Sequence, residues 1–90
     1  MQYDFTDFRV FVNVAEESNL TRGAAKSFLS VPATSQRIKN LEDTLGVKLL
    51  QRTPQGVALT EAGKIYLAHA RRVLGDLELL TSDQIGRAHV

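Results

Sequence analysis

Apolar and polar positions follow the spacing of amphipathic helices along this chain, interrupted by one stretch of shorter period. Near the N-terminus Phe5, Phe8, Phe11, Val12 and Ala15 share a face behind Asp4, a capping residue, and predict a first helix with that face in the core. Val10 and Val14 lie well off that stripe; a wider core and a contact with another helix or subunit both account for this second apolar strip. Glu16, Glu17, Ser18 and Asn19 end the element. A short second helix follows, with Thr21 as N-cap, Leu20 and Ala25 as a hydrophobic staple, and an end near Leu29. Ala24, Ala25, Phe28 and Leu29 are expected to pack on the next helix, with Arg22 and Lys26 outward. Gly23 inside the helix costs about 1 kcal/mol relative to alanine, with no reason visible in the sequence.

From Ser30 to Gly46 the pattern predicts a third helix, capped by Ser30, with Pro32 in its first turn and Gly46 as the stop. At about 100° per residue, Thr34, Ile38, Leu41 and Leu45 form a core face. Ala33, Gln36, Lys39, Asn40 and Asp43 fall on or near the opposite one. Its N-terminal half offers small residues, amides and the cations Arg37 and Lys39, with no acid until Glu42, which suits a helix laid in a DNA groove. After Gly46 the period shortens. Val47, Leu49 and Leu50, then Gln51 to Gly56, then Val57, Ala58 and Leu59 predict a small β-hairpin rather than a surface loop, with Arg52 at its base. Thr60 caps a last, long helix running at least to Thr81, in which Tyr66, Ala70, Val73, Leu77 and Leu80 repeat in steps of four and three. Leu67 and Leu74 broaden that seam, which has more apolar surface than the earlier helices can cover, so self-association is expected. The tail from Asp83 to Val90 has no clear pattern and is expected to fray.

Charge sharpens this picture only when divided along the chain. The net charge is +1, but Met1 to Leu20 carries one base and four acids, Thr21 to Arg72 nine bases and three acids, and Val73 onward one base and three acids. A positive middle segment between acidic flanks suggests a polyanion footprint. Ninety residues, 43% of them hydrophobic, make one small module. The absence of cysteine excludes disulfides and thiolate metal sites and favours a reducing, cytoplasmic location. No stretch has the length of a membrane span, and MQYDFTDF carries acids where a signal peptide carries bases. No nucleophile, base and orienter can be assembled, because His69 lies within an amphipathic helix and His89 in the tail. Neither catalysis, nor a metal, nor a cofactor is expected.

The order helix, helix, helix, hairpin, long helix has sequence detail behind it. FVNVAEESNLTRGAAKSFLSVPATSQRIKNLEDTLGVKLLQR, followed by the hairpin and LTEAG, resembles the N-terminal domain of LysR-type transcriptional regulators over nearly the whole chain. The ordered set with these spacings is specific, whereas AEES or LTEAG alone is weak. The resemblance implies a mainly α fold: a winged helix-turn-helix over residues 1–59, then a linker and dimerisation helix over 60–83, with the frayed tail at 84–90. It also implies an effector-binding domain following in full-length members, through which alone a small molecule would act. Two positions depart from the family pattern: Val31 stands where glutamine is common, and Gln36 where arginine is common after Ser35.

The expected mechanism is a homodimer presenting two third helices to successive major grooves of double-stranded DNA, with each wing at the backbone or minor groove. Val31, Ala33, Ser35 and Gln36 are the candidate base readers. Thr21, Arg22, Pro32, Arg37 and Lys39, with Arg52, Thr53 and Gln55 in the wing, are the candidates for backbone or wing contacts. Tyr66, Ala70, Val73, Leu77 and Leu80 are the candidate dimer interface. A competing reading from another class is a helical protein-interaction module pairing through its last helix. Dimer against tetramer, the operator, the effector and the direction of regulation stay open.

Overall fold

A computed structural model describes the backbone of residues 4–88 and the side chains of residues 4–80. The order is α1 (Phe5–Glu17), α2 (Leu20–Lys26), α3 (Val31–Leu45), β1 (Leu50–Thr53), β2 (Gly56–Leu59) and α4 (Glu61–Ala88). The mainly α fold with one antiparallel hairpin is the one expected.

Local chemistry sets the boundaries. Asp4 caps α1 reciprocally: its side chain accepts from the Asp7 N–H, and the Asp7 carboxylate accepts from the Asp4 N–H. Ser30 Oγ accepts from the Ala33 N–H, and α3 ends on Gly46 in the left-handed region, φ 74°. The second helix differs from expectation. Asn19, not Thr21, is its N-cap, accepting from the Arg22 N–H at 2.8 Å, and it stops at Lys26. Leu20 is therefore inside the helix rather than half of a staple. The chain then turns through Phe28, whose φ of 59° breaks the helix and leaves its ring 94% exposed. Phe28 thus stands in solvent, contrary to the expected helix contact, and Ala25 is also exposed. Gly23 acquires its reason here: a Cβ would stand 2.5 Å from Val14 Cγ2, so α1 and α2 touch only because the side chain is missing.

Two apolar clusters share α1. Phe11 and Val12 pack with Leu41 of α3, Leu49, and Leu67, Ala70 and Leu74 of α4. Val10 and Val14 pack with Ile38 of α3 against Leu20, Leu29, Leu50 and Val57. The second apolar strip of α1 is therefore a wider core. Phe5 is not core; it is 54% exposed. Thr34, Ile38 and Leu41 are buried as the α3 stripe predicts.

The hairpin is tighter than the sequence suggests. Gln51 to Thr53 are strand, Val47 is not, and only Pro54 and Gln55 separate Thr53 from its partner Gly56. The pairs Leu50↔Leu59, Gln51↔Ala58 and Arg52↔Val57 complete the register, so Arg52 lies next to the tip pair and not at the base. The Val57 N–H donates to the Ser18 carbonyl, and a Cβ on Gly56 would collide with that same oxygen, which ties the wing to the α1–α2 junction.

Thr60 Oγ1 accepts from the Gly63 N–H, starting α4, which continues past residue 83 to Ala88 in place of the expected tail. His89 and Val90 lie outside the described residues. Of the expected seam, Ala70 is only 1% exposed and belongs to the core of its own chain, and Tyr66 packs against that core. At about 100° per residue, Leu67, Ala70 and Leu74 form one stripe, while Tyr66, Val73, Leu77 and Leu80 form another some 80° around the helix. On the second stripe Val73 is 40%, Leu77 36% and Leu80 55% exposed.

Candidate nucleic-acid interface

The surface of α3 that faces away from the core carries Ser35, Gln36, Lys39 and Asn40, all exposed. Gln36 Nε2 donates to Asn40 Oδ1 at 2.9 Å, one turn along the helix. That bond orients the Gln36 amide and leaves its Oε1 and second N–H open, one acceptor and one donor side by side. Val31 and Pro32 are exposed in the first turn; Ala33 is half-buried.

Between α3 and β1 lies a cleft of about 510 Å³. Ser35, Lys39, Glu42, Lys48, Gln51 and Arg52 line it, with apolar Leu20, Ile38, Leu50 and Val57. Alternation along β1 puts Leu50 and Arg52 on one side of the strand, the side of their neighbour Val57. Arg52 is exposed and shares its strand face with these apolar residues. Thr53 is half-buried at the hairpin end, and Gln55 is exposed in the turn.

Ion pairs divide the basic middle of the chain into spent and free cations. Arg22 stands 3.7 Å from Glu17, Lys26 3.3 Å from Glu16, and Arg71 3.2 Å from Glu16. Arg37 Nη1 meets Asp7 Oδ1 at 2.9 Å, and Asp7 is buried. The acids of α1 are thus partners of α2, α3 and α4 rather than a separate acidic flank. Exposed pairs such as Arg22 with Glu17 are worth little and exchange readily for a phosphate. Arg37 is different, because releasing it would leave the buried Asp7 carboxylate without its cation. Among the described residues, Lys39 and Arg52 have no acid within 4.0 Å, and both border the cleft. Thr21 and Arg22 are exposed at the start of α2.

Three residues of this surface are not legible as such in the sequence. Asn40 falls on the polar face, but its bond to Gln36 emerges only in the structure, although the spacing of four allows it. Lys48 and Gln51 read as hairpin approach and become cleft lining only once β1 packs beside α3. The apolar stripe expected to pair subunits is a separate surface, on α4. Among the described residues no helix is long and apolar enough to cross a membrane.

Residues 5–64 match the family model described as bacterial regulatory helix-turn-helix protein, lysR family. The chain is 45% identical over 74 residues to the uncharacterized HTH-type transcriptional regulator YnfL of Escherichia coli (strain K12), covering 82% of this chain and 25% of that protein. It is 42% identical over 76 residues to the HTH-type transcriptional regulator ClcR of Pseudomonas putida, covering 84% and 26%. Its fold is similar to the BenM DNA-binding domain solved with catB site 1 DNA, with a TM-score of 0.88, 32% identity and 94% of each chain covered. It is also similar to the CbnR DNA-binding domain solved with DNA, at a TM-score of 0.82 and 34% identity, covering 97% and 99%. The chain spans about a quarter of the length of the curated relatives it matches. The chain belongs to the lysR family of bacterial regulatory helix-turn-helix proteins.

Proposed function

We propose that this domain binds double-stranded DNA sequence-specifically as a homodimer, and is the DNA-binding part of a cytoplasmic transcriptional regulator without enzymatic activity. The observation that carries the reading is the exposed polar N-terminal half of α3, with Ser35 and Gln36 and no acid before Glu42, beside a cleft whose two unpaired cations are Lys39 and Arg52. Each subunit inserts α3 in a major groove, with the wing at the backbone or minor groove. Val31, Ala33, Ser35 and Gln36 face bases; Thr21, Arg22, Pro32, Lys39, Arg52, Thr53 and Gln55 contact the backbone. Arg37 is reassigned: its bond to Asp7 makes it a strut between α3 and α1. The subunits pair through Tyr66, Val73, Leu77 and Leu80 of α4. A small-molecule effector acts only through a separate effector-binding domain and not through the DNA-binding surface.

The direct test is duplex binding across a salt series, followed by selection of bound duplexes from a random pool. A two-fold symmetric consensus is expected; no binding at low salt refutes the reading. Gln36→Ala should lose about 1 to 3 kcal/mol on the selected site and relax preference at one position per half-site, with an unchanged salt slope, since a neutral amide neutralises no phosphate. A variant that selects the wild-type consensus at every position would remove Gln36 from the readers. Arg52→Ala should weaken selected and random duplex by the same factor and lower the magnitude of the salt slope by about one unit. Loss on the selected site alone would make Arg52 a base reader instead.

A further inference from the structure

The segment that leads into the wing is held from two sides. From α3, the Glu42 carboxylate reaches across: Oε2 accepts from the Leu49 N–H at 2.7 Å and from the Leu50 N–H at 3.2 Å, and Oε1 lies 3.8 Å from Lys48 Nζ. From the start of α4, Thr60 Oγ1 donates to the Lys48 carbonyl at 2.6 Å and the Thr60 N–H donates to the Leu49 carbonyl at 3.0 Å. Glu42 is buried, and it lies one and two turns along α3 from Lys39 and Ser35, at the same cleft. A carboxylate is costly to bury unless its oxygens are bonded, and here both oxygens are engaged by one short segment of the chain.

A two-stranded hairpin does not hold its own orientation in water, so the direction of this wing follows from its attachments. Leu50, the first residue of β1, is held by Glu42, and Arg52 stands two residues further on the same strand face. We infer that Glu42 is a positioning residue for DNA binding, which fixes the distance between the base-reading face of α3 and Arg52 of the wing without touching DNA. The inference rests on the DNA-binding reading above.

The sign of one substitution separates this role from a simple charge effect. Removing an acid from a DNA-binding surface, and freeing Lys48 from it, should by charge alone tighten binding. Positioning requires the opposite for Glu42→Ala, about a tenfold loss on the selected duplex, measured where the variant is folded by circular dichroism. Glu42→Gln keeps an oxygen acceptor for the two N–H groups and should bind at least as tightly as the parent. A merely structural role is removed by a double-variant cycle. With the wing already displaced, adding Arg52→Ala should cost less than about twofold, whereas adding Gln36→Ala should cost its full factor. If Glu42→Ala does not fold, Glu42→Asp, which keeps the charge but is too short to reach, takes its place in the same cycle. The inference is overturned if the substitution leaves binding unchanged or tighter, if its loss multiplies with that of Arg52→Ala, or if Glu42→Gln is as weak as Glu42→Ala. Failure of the parent domain to bind any duplex would refute the DNA reading instead.

Discussion

A Val73→Asp domain should sediment as a monomer and bind a duplex carrying both half-sites about a hundredfold or more weakly than the parent, with binding to a single half-site unchanged. Val73 lies on the more exposed stripe of α4 with Tyr66, Leu77 and Leu80, next to the stripe that packs on the protein's own α1. In a pair of identical chains related by a two-fold axis, each substitution appears twice in one interface, so two carboxylates lose water together without a cation to meet them. The monomer itself has no such difficulty, because Val73 is 40% exposed there. Its neighbour Leu74, 8% exposed, provides the contrast: Leu74→Asp should unfold the domain rather than divide the dimer. The loss on DNA arises because the second half-site is no longer bound by a tethered copy, and a factor of one hundred corresponds to about 2.7 kcal/mol. Sedimentation of Val73→Asp as an unchanged dimer would place the subunit contact on another surface.

The same helix explains why sequence reading goes part of the way. Spacings of three and four identify an apolar helix face, but two adjacent stripes of α4 both have them, and only packing against Phe11 and Val12 tells which is already occupied. Ala70 reads equally well in either stripe and falls in the core. Local interactions are legible: Asp4, Ser30, Thr60 and Gly46 begin or end helices through contacts within a few residues, and the Pro54–Gln55 turn lies between strands of evident character. Thr21 misleads because Asn19 is also a good cap, and the αL turn at Ser18 favours the earlier start. Of the candidate interface, the exposure of Gln36 and Lys39 follows from the helical wheel. Partners distant in sequence do not follow. Arg37 has the pattern of a phosphate contact until Asp7, thirty positions earlier, is seen beside it. Glu42 has the pattern of a solvated acid until β1 returns over it.

Gly63→Ala should be severely damaging for so small a change, lowering stability by about 3 kcal/mol or unfolding the domain outright. The glycine is the last letter of the LTEAG run, in the first turn of α4, where the helix backbone lies against the segment entering the wing. A Cβ there would collide with the Leu49 carbonyl and stand 3.0 Å from both Leu49 C and Leu59 Cδ2. The obstruction is backbone, and it cannot swing aside. That carbonyl already accepts from the Thr60 N–H, and the Leu49 N–H is held by Glu42 on the other side. Relieving the clash therefore means pulling α4 from the wing or the wing from α3, and either breaks hydrogen bonds in the same segment. At Gly75, on the same helix, an added methyl would meet no atom within 4 Å, so Gly75→Ala should instead stabilise by up to about 1 kcal/mol. Thermal melts at one fixed protein concentration compare the two, since the proposed dimerisation would make the midpoint depend on concentration. For a domain of this size a loss of about 3 kcal/mol lowers the midpoint by about 12 to 24 °C. A Gly63→Ala midpoint within a few degrees of the parent would mean that α4 can shift at its start without disturbing the wing, and the two-sided hold on residues 48–50 would then be weaker than its hydrogen bonds indicate.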